Sequence, residues 1–202
     1  MLRIGRCLVS QGVNGPGKRF VIWFQGCPFR CEGCFNPEFW SEDGGILVNT
    51  DDLITQIIST HSIEGVTFTG GEPLLQAKEI LSLAKFIKSK DLTIVCYTGY
   101  LFQEILQGQV PYAKDLIEYV DILIDGRYIE SEKASLVWRG SRNQKVHFLT
   151  QRYKHLEPLV LIEGKREIEL QIGKEAVNIT GIFDLGLWER IKRELEAKKE
   201  SV

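Results

Sequence analysis

Apolar residues gather in four short runs along the first two thirds of the chain: RFVIWFQ at 19–25, GVTFT at 65–69, LTIVCY at 92–97 and DILID at 121–125. Each is too short for a helix, and the last three end at or just before glycine, so each predicts a strand. Between them the period changes. A helix is predicted from about Asp51, with Thr50 as N-cap and Leu53, Ile54, Ile57 and Ile58 as its apolar stripe. A second covers about 75–89, with Ile80, Ala84 and Ile87 on one face. A third covers 112–120, with Pro111 suited to its first turn. Residues 41–50, with Gly44 and Gly45, predict a loop.

Strands alternating with helices predict an α/β fold built from βαβ units around a parallel sheet. A sheet covered on both faces has strands that are apolar throughout, as VIWF and ILI are. Chemistry in such folds collects at the C-terminal ends of the strands. A cysteine loop follows the first strand, Gly70-Gly71-Glu72-Pro73 the second, Thr98-Gly99 the third, and Asp125-Gly126-Arg127 the fourth. Beyond residue 150 the pattern becomes short strands separated by Gly-Lys turns, then a helix over roughly 185–199 with Leu187, Trp188, Ile191 and Leu195 on one face. The expected division is a core at 1–150 and an extension of antiparallel strands plus a terminal helix at 151–202.

Composition narrows the class. Of 202 residues, 44% are hydrophobic and 26% charged, which suits a globular chain. No apolar run reaches the ~20 residues of a membrane helix. Arg3 and Arg6 interrupt the apolar start, so no secretory signal is expected and a cytoplasmic location is the default. A net charge of −2 argues against a nucleic-acid partner bound through overall basicity.

The five cysteines are Cys7, Cys27, Cys31, Cys34 and Cys96. Three of them sit in Cys27-Pro28-Phe29-Arg30-Cys31-Glu32-Gly33-Cys34. Three thiolates would ligate three irons of a [4Fe-4S] cube and leave one iron open to a chelating ligand. The competing reading is structural zinc, which normally takes four protein ligands, and no fourth Cys or His lies nearby in sequence. Cys7 and Cys96 read as buried apolar thiols, and the three histidines show no partner pattern.

The CxxxCxxC spacing resembles the radical S-adenosylmethionine (SAM) superfamily. The segments NGPGKRFVIWFQGCPFRCEGCFNPEFW (14–40), GVTFTGGEPL (65–74), YTGY (97–100), DILIDGRY (121–128) and LVWRGSRNQ (136–144) resemble glycyl-radical-enzyme activases, most of all those of anaerobic (class III) ribonucleotide reductase. The resemblance covers about residues 10–150 and implies a partial parallel βα barrel. It implies that Cys27, Cys31 and Cys34 hold the cluster and that the backbone of Gly70, Gly71, Glu72 and Pro73 meets the SAM amino group. It further implies that Arg127 faces the SAM carboxylate, that Asp125 serves a cation or the local polar network, and that Thr98 makes another SAM-side contact. The superfamily usually carries an aromatic residue before the third cysteine. This chain has Gly33, and Phe35 is the candidate for adenine packing. Arg139, Asn143 and Gln144 would contact SAM or shape the surface that receives the substrate, whereas Trp138 reads as core.

The implied reaction is reductive cleavage of SAM to a 5′-deoxyadenosyl radical that installs a glycyl radical on a partner enzyme. A flavodoxin or ferredoxin would serve as one-electron donor. Two alternatives stay open at this stage: a radical SAM enzyme with another peptide or small-molecule substrate, and a non-catalytic metal- or cluster-binding module.

Overall fold

A computed structural model describes residues 1–164, 167–173, 177–182, 186, 189–191 and 193–194. The order of elements is β1 (Leu2–Ser10), β2 (Arg19–Phe24), β3 (Ile46–Val48), α1 (Thr50–Ser59), β4 (Gly65–Gly70), α2 (Ala77–Ser89), β5 (Thr93–Tyr97), α3 (Phe102–Leu106), α4 (Ala113–Ile117), β6 (Ile122–Asp125), β7 (Lys133–Leu136), β8 (Arg139–Ser141), β9 (Lys145–Phe148), α5 (Glu157–Val160), β10 (Ile168–Ile172) and β11 (Val177–Gly181).

Seven strands make one mixed sheet in the order β3-β1-β2-β4-β5-β6-β9. The four strands expected from the sequence, β2, β4, β5 and β6, form its parallel centre. Antiparallel strands flank them: β1 and β3 on one side, β9 on the other. Two hairpins, β7–β8 and β10–β11, lie outside this sheet.

Side chains alternate between the faces of a strand, and the alternation sorts the core. Phe20, Ile22, Phe24, Val66, Phe68, Ile94, Cys96 and Leu123 point to the helical side and pack with Leu53 and Ile57 of α1 and Ile80, Leu83, Ala84 and Ile87 of α2. Burying a Leu, Ile or Phe fully contributes roughly 1.5–3 kcal/mol, so this layer supplies most of the driving force. The intervening residues point the other way. Val21 and Trp23 pack with Phe39; Val95, Ile122 and Ile124 pack with Trp138, Tyr153 and Val160. Trp138 is therefore a core residue, as its sequence context suggested.

Arg19 also lies on this second side. It is fully buried. It donates to Thr67 Oγ1 (2.8 Å), Thr93 Oγ1 (3.0 Å), and the carbonyls of Val66 (2.8 Å), Thr93 (3.0 Å) and Pro16 (3.1 Å). A buried guanidinium is tolerated only when so satisfied.

Several boundaries differ from expectation. Asn49 caps α1, accepting from Asp51 N–H at 3.3 Å, and Thr50 is the first helical residue. The expected helix at 75–89 begins as a 3₁₀ turn over Pro73–Gln76 before α2. Pro111 lies outside α4, because Tyr112 takes a left-handed conformation (φ 60°) as that helix's N-cap. The loop expected at 41–50 contains β3, an edge strand whose residues are exposed or half-buried. The helix expected over 185–199 falls largely outside the described residues, whereas the antiparallel strands expected before it are the β10–β11 hairpin. Among the described residues no helix is long and apolar enough to cross a membrane.

Candidate cluster site

The parallel registers pair Phe24 with Gly70, Phe68 with Cys96 and Tyr97 with Ile124. Four strand ends therefore finish in a row. The residues just beyond them, Gly26-Cys27, Gly71-Glu72, Thr98-Gly99 and Gly126-Arg127, meet at one edge. A cavity of about 140 Å³ lies there, lined by Cys27, Cys31, Cys34, Phe35, Gly70, Gly71, Glu72, Thr98 and Arg127 among others. Of the predicted site residues, Pro73, Asp125, Arg139 and Asn143 are absent from its lining.

Backbone contacts explain the double glycine. Gly71 N–H donates to the Phe24 carbonyl at 2.8 Å, and Glu72 N–H to the Gly26 carbonyl at 2.8 Å. A Cβ on Gly71 would fall 2.2 Å from the Gly26 oxygen; one on Gly70 (φ 106°) would fall 2.5 Å from the Phe24 nitrogen. The close approach these glycines permit is thus to the root of the cysteine loop. No side chain fits such spacing.

Glu72 turns inward and is 1% exposed. Its carboxylate accepts from Leu74 N–H (2.9 Å), Thr98 Oγ1 (2.9 Å) and Gly99 N–H (2.7 Å), stapling the end of β4 to the end of β5. Burial pushes it up to about 7, against the pull of these three donors. Asp125 performs the same office one strand along. It accepts from Phe102 N–H (2.7 Å) and Lys145 N–H (3.2 Å) and faces His147 Nε2 at 3.1 Å. Burial alone would raise its pKa, but His147 and those amides hold it below the ordinary carboxylate range. Thr98 hydroxyl is engaged by Glu72. These two acids and Thr98 set the geometry of the edge.

The cysteine loop is held by aromatics that sequence reasoning missed. Phe29 packs edge-on against Tyr100 (centroids 4.8 Å apart) and carries the Arg127 guanidinium 4.2 Å above its ring. Gly99 makes room, since a Cβ there would lie 2.4 Å from the Phe29 ring. The signal available in the sequence was an aromatic placed between the first two cysteines. Gly33 has its own reason: it is left-handed (φ 73°), and a Cβ would fall 2.3 Å from Glu130 Oε2. Phe35 packs edge-on against Tyr128 at 5.3 Å and borders the cavity.

The donor set suits a cluster. The three cysteines are half-buried free thiols on one cavity. Burial raises the Cys27 thiol, opposed by the amides of Phe29 and Arg30. Burial likewise raises Cys34, opposed by Asn36 N–H at 3.4 Å from its sulfur. The buried indole N–H of Trp40 lies beside the Cys34 sulfur and also opposes that rise; among the described residues it has no other partner. An N–H turned toward a sulfur fits a thiolate that carries charge when ligated. Cys7 and Cys96 lie on the helical side of the sheet, away from this cavity, and burial raises both thiols, that of Cys7 to about 11. Neither provides a fourth sulfur. Among the described residues no group of three or more His, Cys, Asp or Glu is placed to hold a single metal ion.

The segment after β7 braces the fourth strand end. Gln144 Nε2 donates to the Gly126 carbonyl (2.9 Å), and its Oε1 accepts from Gly140 N–H (2.9 Å). Asn143 Nδ2 donates to the Arg127 carbonyl (2.7 Å). Arg139 donates to the carbonyls of Gln144 and Val160. Of the three, Gln144 also reaches the cavity wall.

Fold and site together define an α/β protein with a three-cysteine cluster loop at the C-terminal edge of a parallel sheet. Comparison with known proteins agrees. A family model described as a 4Fe-4S single cluster domain matches residues 13–147. The chain is 37% identical over 140 residues to the anaerobic ribonucleoside-triphosphate reductase-activating protein of Enterobacteria phage T4, covering 66% of this chain and 86% of that one. It is 35% identical over 144 residues to the protein of that name in Haemophilus influenzae (67% and 90%), and 32% identical over 148 residues to that in Escherichia coli K12 (68% and 92%). The chain belongs to the family of anaerobic ribonucleoside-triphosphate reductase-activating proteins.

Proposed function

We propose that this protein is a radical SAM enzyme that installs a glycyl radical on an anaerobic ribonucleoside-triphosphate reductase. The observation that carries this reading is the convergence of three thiols, and no fourth sulfur, on a cavity whose far wall is the Gly70–Glu72 turn and Arg127. When bound, a [4Fe-4S] cluster and SAM supply one-electron cleavage of SAM to methionine and a 5′-deoxyadenosyl radical, which takes a hydrogen atom from a glycine Cα of the partner.

The chain's own residues bind and orient. Cys27, Cys31 and Cys34 would hold three irons of the cluster, leaving one iron open to SAM. The Gly70–Pro73 turn offers its backbone to the amino group, with Pro73 starting the 3₁₀ turn that fixes its direction. Arg127 makes no ion pair among the described residues, and its planar fork suits a carboxylate. Thr98 and Asp125 support these groups, and Phe35 borders the adenine. The sheet is read as the partial parallel βα barrel of this superfamily, with residues 1–150 as its core and 151–202 as an addition. A small one-electron carrier of the flavodoxin or ferredoxin kind is the proposed donor, and the cytoplasm the proposed location.

Replacing Cys31 with Ala tests the reading. Iron content after anaerobic reconstitution and 5′-deoxyadenosine production should both collapse. SAM cleavage that survives the substitution would refute the assignment.

A further inference from the structure

The cysteine cavity does not end at the strand edge. Phe35, Asn36, Thr69, Tyr97, Tyr128 and Gln144 line it and also line a second cavity of about 130 Å³. Val13, Trp138 and Ile182 line that second cavity and also a third of about 300 Å³. Three hollows thus run in series along the side of the sheet opposite the helices, from the three thiols outward.

The outer wall is the β10–β11 hairpin, which lies beyond the residues matched by the family model. Ile179, Thr180, Gly181 and Ile182 roof the middle hollow. The hairpin is pinned, not loosely laid. Asn14 Nδ2 donates to Thr180 Oγ1 at 2.8 Å in a buried contact. Glu169 Oε2 accepts from Ser10 Oγ (3.0 Å) and Gln11 N–H (2.7 Å). Gln171 Nε2 donates to the Val9 carbonyl. The exposed Leu170 and Ile172 are on the same hairpin.

The lining says what the passage takes. It is elongated, and each inner hollow is below the ~300 Å³ at which compact small-molecule pockets begin. Glycines line it at Gly140 and Gly181 and, further out, at Gly12 and Gly17, so backbone comes directly to the wall. Arg6 lines the middle hollow, with its guanidinium 4.4 Å from the Trp23 ring. An extended peptide needs only a narrow bore, and its backbone carbonyls suit a wall that carries a guanidinium.

We infer that the β10–β11 hairpin is a partner-recognition wall. It closes the open side of the sheet into a passage that receives the glycine-bearing segment of the reductase as an extended chain, running past the Arg6 guanidinium. This rests on the function proposed above. The hairpin then selects the partner, while the cysteine edge performs the chemistry.

The test uses the reconstituted full chain with its reductase under anaerobic conditions. Ile182→Trp, which fills the junction of the outer two hollows, should lower the ratio of glycyl radical formed to SAM cleaved about tenfold. A photo-crosslinking benzoylphenylalanine in place of Glu167, exposed at the mouth of the outer hollow, should attach to the reductase peptide that contains the target glycine. An unchanged ratio, or crosslinks confined to other peptides, would overturn the inference while leaving the activase reading intact. A wild-type chain that cleaves SAM but raises no glycyl signal on the reductase would end both.

Discussion

The two faces of one sheet follow opposite rules. On the helical face the inward residues of the central strands are apolar until the end of β6, where Asp125 falls, and Phe24 and Phe68 meet edge to face at 5.7 Å. One residue along, the same strands carry Arg19, Thr67, Thr69 and Tyr97 to the other face, where hollows of 130–300 Å³ remain. The first face drives folding by tight packing. The second spends that stability on polar groups and open space, and it leads to the thiols. Neighbouring residues such as Phe68 and Thr69 therefore do different jobs.

The sharpest way to break this comparison is Phe68→Ala. It removes a fully buried ring from the packed face and should cost about 3–5 kcal/mol in denaturant unfolding of the apoprotein. Glu72→Gln comes next, at about 1–3 kcal/mol, because an amide cannot accept from all three donors that the carboxylate satisfies. The same residue sets a pH dependence. Folding raises its pKa from 4.5 to about 7, so the folded chain holds a proton that the unfolded chain has lost. Its contribution to stability is full below pH 4.5 and fades as pH rises through about 7. Unfolding midpoints followed across that range should fall with rising pH in the wild type and flatten in Glu72→Gln. Arg127→Ala should weaken SAM binding about tenfold, roughly the ~1.4 kcal/mol of one charge-assisted contact, measured by equilibrium binding to the reconstituted protein. Thr69→Val, facing the cavities, should cost less than about 1 kcal/mol. If it matched Phe68→Ala, the two faces would not differ as described.

How much of this was legible in the sequence depended on which neighbours an element has. β2, β4, β5 and β6 are covered on both sides, so their apolar runs announced them to within a residue or two. The flanking antiparallel strands β1 and β3 did not stand out. β1 buries Leu2 and Ile4, then a bulge between Ile4 and Arg6 shifts the phase, and Cys7 and Val9 face the core instead. A single period-2 pattern cannot span that slip, so Arg3 and Arg6 read as an interruption. β3 is mostly exposed and offered no apolar signal. At the site, local spacing revealed the thiols and the double glycine. Long-range partners were invisible: Phe29 against Arg127, Trp40 beside Cys34, and Glu72 reaching Thr98 and Gly99 join residues 6 to 98 positions apart. Glu72 drew attention as a motif residue, but its work of joining two strand ends needed the fold.

The account's central claim is that three thiols hold a four-iron cluster with one iron left open. Mössbauer spectroscopy of the anaerobically reconstituted, ⁵⁷Fe-labelled protein, with and without SAM, tests it most directly. Four irons per chain in one cubane cluster are expected, with the signal of a single iron moving when SAM is added. A lone metal ion bound by the cysteines, or a cluster whose irons all ignore SAM, would contradict it.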